Sequence, residues 1–210
     1  MKAFIFDLDG VIVSTDSLHY KAWKAMADEE NIYFDEKIND RLRGVSRMDS
    51  LEIILERASR VYTEEEKTAL ATKKNEIYRE LLQQLTPDDR LEGVTETLEK
   101  LRGKGYKLAI GSSSRNTPII LDKIGYADFF DAVSDGNNIT RSKPDPQVFL
   151  MAAEYLGLCP SECYVVEDAD AGIAAARAGG FVSVGIGSAA QNPDADYSVS
   201  RLSDLLRIVI

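Results

Sequence analysis

Residues 2–6 form a short run that is almost wholly apolar and stops at two acids, Asp7 and Asp9, one leucine apart. Unbroken apolarity over so few residues suits a strand covered on both faces. Past Ser14 the pattern turns helical. Leu18, Ala22, Ala25 and Met26 recur on one helical face, which predicts a helix capped by Asp16 and running to about Glu30. Asp49 and Glu52 stand at capping-box spacing beside Leu51, Ile54, Leu55 and Ala58. Thr63 and Glu66 repeat the signature before a long helix that ends near Gln84. Residues 14–86 therefore read as a small helical module.

After Pro87 the rhythm becomes an alternation. A helical pattern over 94–102 leads through Gly103 and Gly105 to the strand YKLAIGSSS. A short helix starts near Pro118, and the strand DAVSD reaches Asp135. A helix over 145–156 leads to the strand CYVVED, the helix AGIAAARAG and the strand FVSVGIG. Strands alternating with helices predict an α/β fold with a doubly wound parallel sheet. The opening strand belongs to that sheet, so the helical module is an insertion after it. The expected division is a core domain over 1–14 and 88–210 and a helical domain over 15–87.

Composition narrows the partners. A chain of 210 residues can bury a real core. Its net charge of −10 argues against nucleic acid or an anionic membrane as the main partner, but not against a phosphorylated small molecule, which needs only a local positive site. Cys159 and Cys163 read as reduced, buried thiols, since one histidine and two cysteines build neither a zinc site nor a disulfide framework. That points to the cytosol. Asp7 interrupts the apolar run that a signal peptide would need, and no stretch is long enough to cross a bilayer.

Four strands end in chemically loaded residues: Asp7 and Asp9; Ser112, Ser113 and Ser114; Arg141, Ser142 and Lys143; Glu167 and Asp168. In an open α/β sheet such ends converge on one pocket. Asp7 and Asp9 share a face while Leu8 points into the core. Four acids together repel unless a cation joins them, and oxygen ligands without imidazole or thiolate favour Mg²⁺. Lys143 supplies a fixed positive charge, and the serines supply hydroxyls and backbone N–H groups near a helix start. That set describes phosphoryl transfer with one carboxylate as nucleophile. Taken singly, each residue has a plainer reading as a cap, a turn former or a loop lysine.

The motifs DLDGV, a serine closing the next strand, KPDP and VVEDADAGIAAARAGG resemble the haloacid dehalogenase superfamily of phosphotransferases over the full chain. The resemblance implies a Rossmann-like core with an inserted α-helical cap. It makes Asp7 the nucleophile and Asp9 the general acid/base. Ser112 and Lys143 would hold the transferring phosphoryl group, and Mg²⁺ would sit on Asp7, the carbonyl of Asp9 and Asp168, supported by Glu167.

On the insertion, His19 and Trp23 share one helix face, Arg47 stands just before the second helix, and Lys74 interrupts the stripe of Leu70, Ile77, Tyr78 and Leu81. A lysine so placed ordinarily snorkels to water. The segments HYKAWKAMA, LRGVSRMDSLEIIL, KKNEIY and GSSSRNTPIILDKIG are similar to those of the superfamily's sugar-phosphate mutases. By that resemblance the reaction interconverts β-glucose 1-phosphate and glucose 6-phosphate through bound β-glucose 1,6-bisphosphate. Arg47 would bind the distal phosphate, and Lys74, Asn75, Ser113, Ser114, Arg115 and Asn116 the sugar or phosphate. Trp23, Gly44, Val45, Ser46 and Ser50 would line the substrate site, His19 would tune Asp9, and Thr15 would lie in the hinge. Ser14 stands where the family often has an acid. The resemblance also implies a monomer in the cytoplasm acting on a small phosphorylated sugar. A phosphatase of the same superfamily, acting on a hexose phosphate or phosphoglycolate, is the rival reading.

Overall fold

The computed structural model describes residues 1–42 and 46–208. It divides into two compact units, Met1–Ser14 with Thr86–Ile210, and Thr15–Leu85.

In the larger unit a six-stranded parallel sheet has the order β3-β2-β1-β4-β5-β6. Its strands are β1 (Ala3–Phe6), β2 (Lys107–Gly111), β3 (Ala132–Ser134), β4 (Cys163–Glu167), β5 (Val182–Gly185) and β6 (Tyr197–Ser198). β1 lies between β2 and β4, and all four of its residues are buried, as its unbroken apolar run requires. Register carries Phe6 level with Ile110 on one side and Val166 on the other. The next residues, Asp7, Gly111 and Glu167, therefore stand level at the carboxyl edge of the sheet. Chain order reverses between β1 and β4, the switch point where such sheets bind ligands. A buried cluster including Ile5, Ala109, Phe149, Val165, Ala176 and Phe181 packs one face of the sheet.

Among the described residues the smaller unit has the helices α1 (Asp16–Glu29), α2 (Glu36–Asp40), α3 (Arg47–Leu55) and α4 (Glu64–Leu82). Trp23, Met26, Leu51, Ile54, Leu70 and Ala71 build its core. The remaining helices, α5 (Val94–Gly103), α6 (Thr117–Lys123), α7 (Gln147–Leu156), α8 (Asp170–Ala178) and α9 (Leu205–Ile208), belong to the sheet unit. Among the described residues no helix is long and apolar enough to cross a membrane.

Several local expectations change. Thr15, not Asp16, occupies the N-cap of α1, and Asp16 lies in its first turn. α3 starts earlier than its Asp49–Glu52 spacing implied. Ser46 is its cap, accepting from the Asp49 N–H, so Arg47 is inside the helix rather than ahead of it. α2 is too short to show a periodic stripe, yet Asp35 caps it through an Ile38 N–H bond of 2.9 Å. α7 begins at Gln147, because Asp145 accepts from the Gln147 N–H at 3.0 Å and spends its carboxylate on the turn before the helix. The Thr63–Glu66 capping box is present as read. Cys163 is buried, but Cys159, at a 3₁₀ N-cap, is exposed, so the expected pair of buried thiols is corrected to one.

Candidate active site

Lys143 sits at the centre of the strand ends. Its Nζ donates to Asp7 Oδ1 and to Glu167 Oε1, both at 2.5 Å, and its side chain is 8% exposed. The ammonium also lies 4.7 Å from the centre of the Phe149 ring, which closes that side to water. Burial alone would discharge Lys143. The two carboxylates outweigh it and hold the ammonium above its usual pKa.

Asp7, Glu167 and Asp168 offer oxygens within 4.8 Å of one another. Burial pushes the Glu167 carboxyl up, Lys143 opposes it, and Asp7 adds to it. Asp168 is pushed up to about 8, first by burial and then by the charges of Asp7, Glu167 and Asp9. Among the described residues, burial and the mutual repulsion of these carboxyls thus outweigh the lysine between them. The excess of hard, inward-facing oxygen donors fits a divalent cation of the Mg²⁺ type.

The backbone holds these acids in place. Glu167 Oε2 accepts from the Ala169 N–H at 3.0 Å. The Asp168 carbonyl accepts from the Ala189 N–H at 3.0 Å and from Ser188 Oγ at 2.5 Å. α8 approaches Glu167 so closely that a Cβ on Gly172 would stand 1.9 Å from the Glu167 carboxyl carbon. Leu8 is fully buried and Asp9 half-buried, the alternation expected of residues leaving a strand.

The serine loop follows β2. Ser112 Oγ accepts from the Ser114 N–H at 3.2 Å, and Ser114 Oγ accepts from the Asn116 N–H at 3.1 Å. These successive turns deliver the chain into α6 with Ser112 and Asn116 buried. Ser113 Oγ is itself buried without a hydrogen-bond partner among the described residues, a group that a ligand could satisfy.

A second constellation occupies the helical unit. Lys74 is 2% exposed, so it does not snorkel. Its Nζ lies 2.8 Å from His19 Nδ1, 4.6 Å from the Trp23 ring centre and 4.7 Å from that of Tyr78. Burial, then the charges of Lys74 and Arg47, hold His19 well below its usual pKa. The imidazole is neutral, and with Lys74 donating to Nδ1 its proton belongs on Nε2. His19 stacks on Tyr78 at 4.0 Å, and Tyr78 Oη shares a 2.8 Å hydrogen bond with Thr15 Oγ1.

The larger unit thus brings together Asp7, Lys143, Glu167 and Asp168, with Asp9 in their field and Ser112, Ser113, Ser114, Arg115 and Asn116 on the neighbouring loop. The smaller unit joins Thr15, His19, Trp23 and Lys74. Ser46 there caps α3, Arg47 and the buried Ser50 follow on that helix, and half-buried Asn75 adjoins Lys74. Gly44 and Val45 lie outside the described residues. Sequence reasoning missed Tyr78, taken only as part of an apolar stripe, and Gly172, whose role depends on how near α8 comes to Glu167.

The family model described as a haloacid dehalogenase-like hydrolase matches residues 1–180. The chain belongs to the haloacid dehalogenase-like hydrolase family. A relative within reach of that family, the beta-phosphoglucomutase of Bacillus subtilis, is 44% identical over 98% of this chain and 92% of its own length. The phosphorylated carbohydrates phosphatase of Thermotoga maritima is 30% identical over 86% of this chain and 82% of its own. Among solved structures, the beta-phosphoglucomutase of Clostridium difficile superposes with a TM-score of 0.89 at 38% identity, covering 98% of this chain and 93% of that one.

Proposed function

We propose that this chain is an isomerase that interconverts β-D-glucose 1-phosphate and D-glucose 6-phosphate through an aspartyl phosphate and β-glucose 1,6-bisphosphate. The observation that carries the reading is likeness over nearly the whole chain. The match to the Bacillus subtilis beta-phosphoglucomutase, 44% identical overall, covers 98% of the chain and so takes in the helical insertion as well as the sheet unit.

In this reading an Asp7 carboxylate oxygen attacks phosphorus and the bond from phosphorus to the sugar oxygen breaks. Asp9 protonates the departing oxygen, and as a carboxylate it takes the proton from the sugar hydroxyl that next accepts the phosphoryl group. Lys143 and Ser112 hold the phosphoryl oxygens. Mg²⁺, held by Asp7, the Asp9 carbonyl and Asp168 with Glu167 in support, would neutralise charge at the transferring group. The Lys143–Asp7 contact of 2.5 Å supports a role for Lys143 beside the phosphoryl oxygens that would sit next to Asp7. Arg47 takes the second phosphate. Lys74, Asn75, Ser113, Ser114, Arg115 and Asn116 take the sugar or phosphate, with Trp23, Ser46 and Ser50 beside it. His19, neutral and oriented by Lys74, acts on Asp9, and Thr15 serves the hinge. We extend the reading to a cytoplasmic monomer.

The test is a product assay. Purified protein, Mg²⁺ and β-glucose 1-phosphate are mixed with catalytic β-glucose 1,6-bisphosphate, and glucose 6-phosphate and free phosphate are measured together. Glucose 6-phosphate should dominate, with a lag when the bisphosphate is omitted. Stoichiometric free phosphate without isomer would move the chain to the phosphatase reading, the activity named for the Thermotoga maritima relative.

A further inference from the structure

A turn after β3 is bonded to the serine loop more closely than strand pairing requires. Asp135 is 5% exposed, and both its carboxylate oxygens accept from Asn137: Oδ1 from the backbone N–H at 2.8 Å, Oδ2 from the side-chain Nδ2 at 3.2 Å. The second hydrogen of Nδ2 goes to the Arg115 carbonyl at 3.0 Å. Two acceptors fix which end of the Asn137 amide is nitrogen. Gly136 N–H donates to the Ser114 carbonyl at 3.1 Å, and Arg115 Nε donates back to the Gly136 carbonyl at 3.2 Å. The loops approach so closely that a Cβ on Gly136 would lie 2.4 Å from the Ser113 carbonyl oxygen and 2.8 Å from Arg115 N. Asn138 closes the turn, its Oδ1 accepting from the Asp135 N–H at 2.9 Å.

We infer that this turn is a clamp for the substrate loop, with Asn137 as a positioning residue that acts through the Arg115 carbonyl and Gly136 as the close contact that seats it. The inference rests on the proposed assignment of Ser113, Ser114, Arg115 and Asn116 to the sugar phosphate. The loop's own turns use the Ser112 and Ser114 hydroxyls to hold N–H groups; the Ser114 carbonyl is shared between Thr117 Oγ1 at 2.9 Å and the Gly136 N–H, and the Arg115 carbonyl goes to Asn137. Asn137 is exposed, so its side chain serves no core. A preformed loop loses less conformational freedom on binding, and a clamp therefore shows in KM more than in chemistry.

The test uses Asn137→Ala and Gly136→Ala in the full chain. Two substrates are compared: β-glucose 1-phosphate, which needs the loop, and acetyl phosphate, which has no sugar for it to hold. One lost hydrogen bond predicts a rise of about three- to tenfold in KM for β-glucose 1-phosphate. Acetyl phosphate hydrolysis should stay within about twofold. Amide hydrogen exchange over 112–117 should quicken by about the same three- to tenfold in Asn137→Ala and more in Gly136→Ala. Equal losses on both substrates, an unchanged KM, or unchanged exchange in both variants overturns the inference. If the wild type forms no glucose 6-phosphate, the proposed function fails while the exchange measurement still judges the clamp.

Discussion

Replacing Lys143 with methionine removes a charge but little volume, which isolates the lysine's electrostatic part. Lys143 neutralises Asp7 and Glu167 at 2.5 Å each from a position 8% exposed. Deleting one partner of a buried ion pair costs about 3–5 kcal/mol when the other charge stays buried. The acids can escape that cost only by taking protons, so the loss depends on pH. Asp168 rises from 3.8 in the unfolded chain to about 8 in the folded, metal-free protein. A carboxyl raised in this way contributes stability that is fully present below its unfolded value and is lost as pH climbs through its folded value. Metal-free wild type should therefore lose stability between about pH 4 and pH 8, at no more than about 1.4 kcal/mol per pH unit for each such group. Without Lys143, Glu167 and Asp168 lose a cation that lowers them, and the decline steepens. Urea unfolding in EDTA is the assay. Lys143→Met should be weaker than wild type by about 3–5 kcal/mol at pH 8, and by only about 1 kcal/mol at pH 5, where Asp168 keeps its proton and adds no charge to the unpaired acids. With a urea slope of about 2 kcal/mol per molar, the pH 8 loss shifts the midpoint by about 1.5–2.5 M. Saturating Mg²⁺ should recover part of it, because the cation takes over the charge balance. The same loss at both pH values, or a pH 8 loss under about 1 kcal/mol, would refute the electrostatic account of the site.

Other perturbations address single residues. Asp9→Asn should slow turnover about a hundred- to ten-thousand-fold, and a loss below about tenfold would remove Asp9 from proton transfer. Gly172→Ala forces a methyl into the Glu167 carboxylate, and should weaken Mg²⁺ binding about 10- to 100-fold by calorimetry; unchanged affinity would show that α8 yields without moving Glu167. Arg47→Ala should reduce β-glucose 1-phosphate turnover far more than acetyl phosphate hydrolysis, and parallel losses would return Arg47 to a structural role. Tyr78→Phe removes the 2.8 Å bond to Thr15 while keeping the ring on His19, and should cost about 1–2 kcal/mol of stability, read from thermal unfolding against wild type.

What the sequence disclosed tracks how local each signal is. β1 was legible because a strand buried on both faces has an unbroken apolar run, and the acids after it broke that run. The parallel sheet followed from alternation, which needs no knowledge of contacts. α2 and β6, with five and two residues, fall below the length at which periodicity can be seen. The start of α3 was misplaced because two capping signals overlap, Ser46 with Asp49 and Asp49 with Glu52. Only the backbone decides between them, and it puts the Ser46 side chain on the Asp49 N–H. Lys74 shows the same limit in a side chain. A lysine in an apolar stripe reads as a snorkelling lysine until an imidazole and two aromatic faces are found around its ammonium. His19 lies 55 residues away, so spacing cannot pair them.

The site's energetics and its chemistry have one source. Among the described residues, Asp7, Glu167 and Asp168 gather around Lys143, and Asp168 is pushed up to about 8, first by burial and then by the charge of its neighbours. In a water-filled cleft the same acids would be screened, and they would have little reason to gather positive charge. Here that upward push is an affinity: whatever brings positive charge among these oxygens relieves it. In the proposed mechanism a phosphoryl group would enter such a place only with that charge already present, so that cation, lysine and nucleophile would share a few ångströms. His19 beside Lys74 is the opposite design, a base whose pKa is held down first by burial and then by the neighbouring cations Lys74 and Arg47. One unit gathers acids around a lysine. The other holds an imidazole oriented by a lysine at 2.8 Å.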